Sequence, residues 1–172
     1  VVLPASGERL TREKLDKLRA SPDPVVVLGH LNPDAVVDAI VEHPFVMIAS
    51  DGIKEHPRSA GSYAHVFARY VGLRRNLDLK GAVRKMSFMP AQRLEGITAA
   101  ARRKGRLQAG ADADVVVFDP AQFMDTATYS ASTAPSVGVR YLLVAGTLVI
   151  DEGRIVAGAA PGRPLTADAT LR

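Results

Sequence analysis

Residues 45–52 have the sequence Phe-Val-Met-Ile-Ala-Ser-Asp-Gly, which is five apolar residues, a small hydroxyl residue and then a carboxylate on a turn. A continuous apolar run bounded by Pro44 and Gly52 predicts a strand that is buried on both faces. Asp51 would follow the carboxyl end of that strand, where parallel α/β folds collect ligands and catalytic groups. The alternative is an ordinary Asp-Gly turn that ends a core strand and has no functional role.

A second strand and a helix are predicted just before this stretch. Residues 25–28 are a β-branched apolar run that leads to His30, and Asn32 and Pro33 then predict a capped helix start. Strand, helix and strand within about 25 residues predict a βαβ unit of a parallel sheet. His30, like Asp51, would lie at the carboxyl end of its strand, where it is either a substrate contact or a structural histidine.

Helices are predicted on both sides of this unit. Thr11 is placed as the N-cap of the first one. Residues 63–71 have the clearest helical periodicity, and Gly72 is placed as a left-handed C-terminal cap. Asp78 is placed as the N-cap of a further helix, and the helical pattern ends near Lys104.

From Gly105 onward the pattern is that of short strands separated by Gly, Asp and Pro. The predicted strands cover residues 105–107, 113–118, 140–144, 147–150 and 154–157. Residues 121–136 are predicted to be an irregular excursion, and the chain from residue 161 is predicted to be a loose tail. The fold class is therefore α/β with an all-β appendix.

Composition predicts a folded domain and limits its size. The chain has 172 residues, of which 47% are hydrophobic and 23% charged, as in ordinary folded proteins. A complete eight-stranded α/β barrel needs about 250 residues. The absence of an initial Met and the shortage of barrel length together predict a piece of a larger protein. No membrane-spanning run or secretory signal is found, so a cytoplasmic location is expected.

Positive charge is concentrated in residues 69–106, where eleven Lys or Arg stand against two acids. Such a block is able to attract nucleic acid or an acidic partner. No aromatic residues are interleaved in a stacking pattern. We therefore interpret the block as solvated helix faces, on which the aliphatic stems of the basic side chains cover apolar surface. Nucleic acid and membrane are not expected as partners.

Two blocks of motifs resemble a known family. The first contains Met-Ile-Ala-Ser-Asp-Gly at 47–52, His-Pro-Arg at 56–58 and Lys-Met-Ser-Phe-Met-Pro-Ala-Gln-Arg-Leu at 85–94. The second runs from Gly105 to Pro120 and continues with Val-Ala-Gly-Thr-Leu-Val at 144–149. Together they resemble the C-terminal part of the N-acyl-D-amino-acid deacylases, or D-aminoacylases, of the metal-dependent amidohydrolase superfamily. The second block indicates only the superfamily, whereas Ser-Asp-Gly followed by His-Pro-Arg is more specific.

The resemblance implies the C-terminal part of a (β/α)8 barrel together with strands of a small β-sandwich. Residues 25–28 would be the seventh barrel strand and residues 45–50 the eighth. Residues 1–104 would then be the barrel segment, residues 105–165 strands of the sandwich and residues 166–172 a tail.

The resemblance also implies roles for individual residues. Asp51 matches the family's catalytic carboxylate, which takes a proton from a metal-bound water and delivers it to the departing amine. Arg58 matches the residue that receives the substrate's α-carboxylate, for which a planar guanidinium is well suited. His56, in the polar loop of residues 53–61, would orient this region or contact substrate, or else is a surface histidine. His43 and His65 are interpreted as structural.

The resemblance implies zinc as cofactor, with ligands that this chain lacks. Amidohydrolase metals are bound by a His-x-His pair and further ligands, and this sequence contains neither His-x-His nor Cys. The metal ligands would therefore lie upstream, with Asp51 only a neighbour of the metal. We expect the chain alone to be inactive on a small N-acyl amino acid, and to associate with the missing N-terminal part or with copies of itself.

Two alternatives remain open at this stage. One is another amidohydrolase with the same C-terminal layout, such as a cyclic amidase of the dihydroorotase or hydantoinase type. The other is a non-catalytic binding module that retains the β domain and uses residues 69–106 on an acidic partner.

Overall fold

The computed structural model describes residues 1–3, 6–29, 31–53 and 56–168. Helices dominate the first part of the chain and an antiparallel sheet the second. The α-helices are α1 (Arg12–Arg19), α2 (Asp34–Glu42), α3 (Arg58–Val66), α4 (Leu79–Val83) and α5 (Met89–Leu94). π-helical turns at Phe67–Leu73 and Arg84–Phe88 continue α3 and α4, and a 3-10 helix covers Ala99–Arg103. The strands are β1 (Val115–Phe118), β2 (Val139–Val144), β3 (Thr147–Asp151) and β4 (Arg154–Ile155).

Two of the predicted helix caps are confirmed and two are wrong. The Thr11 side chain accepts a hydrogen bond from the Lys14 N–H at 3.3 Å, and Asp78 accepts one from the Gly81 N–H at 2.6 Å. In contrast, α2 begins after Pro33 without any side-chain cap. Gly72 lies inside the π-helical turn, and the left-handed residue after that turn is Arg75, with φ 56°.

The predicted parallel strands are not formed by this chain. Leu28 makes only an isolated antiparallel bridge with Val2, and residues 45–50 belong to no strand. The prediction of a segment buried on both faces is also wrong, since Phe45 is 84% exposed, although Ile48 is only 8% exposed. A parallel strand is stabilised by hydrogen bonds to neighbouring strands, and none of the residues described here supplies such a neighbour.

The sheet has the order β1-β2-β3-β4, with every pair antiparallel. The predicted strands 113–118, 140–144, 147–150 and 154–157 correspond to these four, whereas residues 105–107 form no strand. The turn between β3 and β4 contains Glu152 and Gly153, both at positive φ. Because each strand pairs with the next one along the chain, the whole sheet forms within about 40 residues.

The expected loose tail is wrong for its first part. The Asp168 carboxylate accepts a hydrogen bond from the Ala99 N–H at 2.8 Å, and the Asp168 N–H donates to the Ile97 carbonyl at 3.1 Å. These bonds fix the chain against the N-terminus of the 3-10 helix, where a carboxylate is favoured. The remaining residues of the predicted tail, 169–172, lie outside the described residues.

Two apolar clusters hold the helices together and attach them to the sheet. The first contains Val41, Ile48, Val66 and Tyr70, and so joins α2 and the segment 45–50 to α3 and its π-helical extension. The second is aromatic, with the Phe67 ring 5.3 Å from Phe118 and 5.4 Å from Phe123. Within the described ranges, no helix has both the length and the apolar character needed to cross a membrane.

Ion pairs engage much of the basic block at residues 69–106. Arg69 and Arg74 both contact the Asp38 carboxylate, which also accepts a hydrogen bond from the Tyr70 hydroxyl at 2.7 Å. The hydrogen bond from Tyr70 is the largest cause that lowers the pKa of Asp38. Burial, and then this same hydrogen bond, raise the pKa of Tyr70 to about 12. Lys104 and Arg106 are paired in the same way with nearby carboxylates, which supports a structural role for the block.

Candidate active site

Asp51 lies on a sharp turn at the end of the segment 45–50. Its φ is 45°, in the left-handed region that Asp tolerates better than most residues. Its side chain is 82% exposed. The segment is held by the Ile48 N–H, which donates to the Lys85 carbonyl at 3.1 Å. The turn therefore presents a solvated carboxylate beyond an anchored stretch of backbone.

Arg58 is the first residue of α3, whereas the sequence predicted it in the middle of a loop. The predicted loop 53–61 ends early because Pro57 takes helical dihedral angles, which suit its fixed φ, and its carbonyl accepts from the Gly61 N–H at 2.9 Å. The Arg58 guanidinium then reaches back across the turn, and its Nη2 lies 2.9 Å from Asp51 Oδ2. The two residues singled out from the sequence are thus in direct contact.

His56 fixes the start of the same helix. Its Nδ1 accepts a hydrogen bond from the backbone N–H of Arg58 at 3.1 Å, so in the neutral ring the proton is on Nε2. Its ring also makes an edge contact with Tyr129, with 5.4 Å between centroids. His56 is therefore partly enclosed. His30, the other candidate histidine, lies outside the described residues.

A cavity of about 640 Å³ lies beside the Asp51–Arg58 pair, a volume in the range of small-molecule sites. It is bounded by α2, residues 46–49, the start of α3 and residues 125–129 of the irregular excursion. Its polar lining residues are His56, Arg58, Ser62, His65, Asp125, Thr128 and Tyr129.

The contribution of the excursion to this cavity was not predicted from the sequence. Asp125 Oδ2 lies 3.2 Å from His65 Nδ1, which ties the excursion to α3. The Ser136 hydroxyl donates to the Ala60 carbonyl at 3.0 Å and makes a second link. The interpretation of His65 as a structural residue agrees with this contact. No local pattern in a segment rich in Ser, Thr and Ala indicates contacts to residues about 60 positions away.

Comparison with known proteins identifies the family. No family model matches the chain. The N-acyl-D-glutamate deacylase of Alcaligenes xylosoxydans xylosoxydans is 40% identical over 139 residues, which cover 78% of this chain and 27% of that protein. The N-acyl-D-aspartate deacylase of the same organism is 35% identical over 146 residues, covering 83% and 28%. The crystal structure of the N-acyl-D-glutamate deacylase from Bordetella bronchiseptica, complexed with zinc and a phosphonate inhibitor, matches with a TM-score of 0.68 at 40% identity, covering 78% and 28%.

The chain belongs to the N-acyl-D-amino-acid deacylase family. It spans little more than a quarter of the length of these relatives. The resemblance read from the sequence motifs is thereby confirmed, and the mixed α/β structure agrees with it.

Lys85 supports the segment that leads to Asp51. Its side chain is only 5% exposed. The ammonium donates to the Val46 carbonyl at 3.0 Å and also to the His43 carbonyl. Burial lowers the pKa of this lysine. Together with the Lys85 carbonyl that receives the Ile48 N–H, these bonds fix residues 43–48 to the π-helical turn after α4.

The residues that the structure describes do not form a metal-binding set. Across the described ranges, no three His, Cys, Asp or Glu side chains are grouped so that they could hold a metal ion. Asp51 is solvated and paired with a cation, and a single carboxylate does not satisfy the usual coordination of zinc. The described residues therefore do not fit zinc without further ligands.

Proposed function

We propose that this chain is the C-terminal part of a zinc-dependent amidohydrolase that hydrolyses the amide bond of N-acyl-D-amino acids. The observation that carries the proposal is the contact between Asp51 and Arg58, at 2.9 Å, beside a cavity of about 640 Å³. These are the two residues that match the family's motif. The sequence identity of 40% to a named N-acyl-D-glutamate deacylase gives independent support.

In this proposal residues 25–28 and 45–50 are the seventh and eighth strands of a barrel. Both segments precede a helix or a helix-starting loop, as barrel strands do. Val26 is 68% exposed and Phe45 is 84% exposed, as expected for side chains that another part of the barrel covers. Residues 1–104 would form the barrel segment, 105–165 strands of the small β domain and 166–172 a tail.

Asp51 is assigned to proton transfer. Its carboxylate accepts a proton from the attacking water and then donates it to the departing amine. Arg58 binds the α-carboxylate of the substrate through its planar guanidinium. His56 orients Arg58 through the hydrogen bond to its backbone N–H, and His30 is retained as a candidate substrate contact. Zinc is the proposed cofactor, with ligands from outside the described residues.

The proposal includes a partner, since Asp51 and Arg58 form only part of a site. The chain would be inactive alone and would associate with the N-terminal part of the same enzyme, or with itself, in the cytoplasm. The test is to titrate zinc into the isolated chain and into the chain combined with that part, and to assay N-acetyl-D-glutamate with each. We expect zinc binding and hydrolysis only in the combined protein.

Two outcomes would contradict the proposal. Stoichiometric zinc binding and hydrolysis by the isolated chain would show that it is self-sufficient. A combined protein that hydrolyses dihydroorotate or a hydantoin, and no N-acyl-D-amino acid, would assign it to the cyclic amidases instead.

A further inference from the structure

We infer that Arg58 has a second role: it positions the proton-transferring Asp51 as well as binding the substrate's α-carboxylate. The inference rests on the proposed function. It assigns both tasks to different edges of one guanidinium group.

The first edge is already occupied. Arg58 Nη2 lies 2.9 Å from Asp51 Oδ2. Asp51 is on an exposed turn with φ 45°, and no other ion-pair partner of its carboxylate lies within 4 Å among the described residues. A carboxylate that is 82% exposed would otherwise sample several rotamers. The guanidinium therefore selects the direction in which the proton-accepting oxygens point.

The second edge has a donor without a partner. Arg58 Nε is buried and has no hydrogen-bond partner in the part of the chain that the structure describes. A buried N–H without an acceptor is unfavourable unless a ligand or water supplies one. Arg58 also lines the cavity of about 640 Å³. A carboxylate entering this cavity can accept from Nε and from the Nη2 hydrogen on the same side, while the other Nη2 hydrogen donates to Asp51, since a guanidinium has five N–H donors.

Arg69 and Arg106 also have a buried Nε without a partner, yet their surroundings differ. The Arg69 guanidinium lies 5.8 Å from the centre of the Tyr70 ring, and that of Arg106 lies 5.0 Å from the Phe88 ring. Each of these two arginines is therefore stabilised by an aromatic face as well as by an ion pair. No such ring contact is found for Arg58 within the described ranges, which leaves its second edge for a ligand.

Two hydrogen bonds hold the backbone of Arg58 in place. The Arg58 N–H donates to His56 Nδ1 at 3.1 Å, and the Ser62 hydroxyl donates to the Arg58 carbonyl at 2.8 Å. The backbone of Arg58 is thus bonded on both sides. From this fixed backbone, the Arg58 side chain can hold the base and the substrate in a constant relation, as proton transfer requires.

The experiment uses a substrate that cannot reach the second edge. The zinc-loaded complete enzyme is assayed with N-acetyl-D-glutamate and with an N-acetyl amine that lacks the α-carboxylate. Arg58→Lys keeps the positive charge and removes the planar guanidinium with its paired N–H donors. Arg75→Lys, at an exposed position outside the site, is the matched control. With N-acetyl-D-glutamate we expect Arg58→Lys to raise KM and to lower kcat. With the N-acetyl amine we expect kcat/KM to fall about 10-fold or more, because Asp51 is misplaced.

An equal kcat/KM for the N-acetyl amine in the wild type and in Arg58→Lys would overturn this inference and leave the proposed function standing. If the wild-type enzyme hydrolyses neither compound, the proposed function fails and the inference fails with it. To exclude misfolding as the cause, Arg58→Ala is assayed with added methylguanidinium. Recovery of activity on the N-acetyl amine is expected, whereas no recovery in a folded, zinc-loaded variant would count against the positioning role.

Discussion

Two regions of this chain contain similar apolar runs, yet only one of them forms strands. In the sheet of residues 115–155, each strand pairs with its neighbour in the sequence. The runs 25–28 and 45–50 are as apolar and remain without ladder partners, apart from one isolated bridge at Leu28. Antiparallel partners are local, whereas parallel partners come from distant parts of a chain. One region therefore has all its strand partners within about 40 residues, and the other lacks such partners among the described residues; in the proposed enzyme, further residues would supply them.

The largest expected effect tests whether the proposed catalysis depends on the region without strand partners and not on the sheet. Asp51→Asn in the zinc-loaded complete enzyme should lower kcat for N-acetyl-D-glutamate by about 10² to 10⁴, since proton transfer contributes about that much. Asp151→Asn is the matched control, because Asp151 also ends an apolar strand but lies in the sheet. Steady-state kinetics measure both. Equal activity of the two variants would remove Asp51 from the mechanism.

The next prediction tests whether the sheet region is self-contained. Gly138 has φ +88°, and a Cβ there would lie 2.5 Å from the Phe123 backbone nitrogen. Gly138→Ala should lower the free energy of unfolding by about 3 kcal/mol through strain and overlap. Gly110 has φ +82° but open space around it, so Gly110→Ala should cost about 1 kcal/mol. Urea unfolding measures both. Equal costs would mean that packing around Gly138 does not constrain the sheet.

A third prediction concerns the segment that leads to Asp51. Ile48 is buried in a cluster with Val41, Val66 and Tyr70, so Ile48→Ala should cost about 2 kcal/mol of unfolding free energy. Phe45 is 84% exposed, and Phe45→Ala should cost less than about 0.5 kcal/mol in this chain. In the proposed complete enzyme the cost at Phe45 should rise, because another part of the barrel would cover this side chain. An unchanged cost there would contradict the assignment of residues 45–50 to an interior strand.

The smallest expected effect is a pH dependence in the helical region. The pKa of Asp38 is lowered, first by the Tyr70 hydrogen bond and further by Arg74 and Arg69. A carboxyl group with a lowered folded-state pKa stabilises the fold above its unfolded pKa of about 3.9, and this stabilisation is lost as the pH falls through the folded pKa. The wild type should therefore be more stable than Asp38→Asn at pH 6, and the difference should shrink towards pH 3. A constant difference in urea unfolding at both pH values would rule out the linkage.

The local features of the fold were predictable from the sequence, and the supports of the site were not. Thr11 and Asp78 cap their helices as predicted, because a cap depends on a residue and the next three. Arg58 was predicted in a loop because the helix start at Pro57 leaves a weaker pattern than the apolar periodicity over residues 63–71. No pattern in the sequence predicted that Lys85 is buried against the segment 43–48.

The sequence alone determined the family and the positions of the four strands, although it also predicted a strand at 105–107 that does not form. It also singled out Asp51 and Arg58 as candidate site residues, because they lie in a contiguous motif. Only the tertiary structure showed that Arg58 contacts Asp51 and that residues 125–129 form a wall of the cavity. Contacts such as His65 with Asp125 join positions about 60 residues apart. Such contacts depend on how the helices pack against the excursion. No local sequence pattern predicts them, because the whole fold determines which distant residues meet.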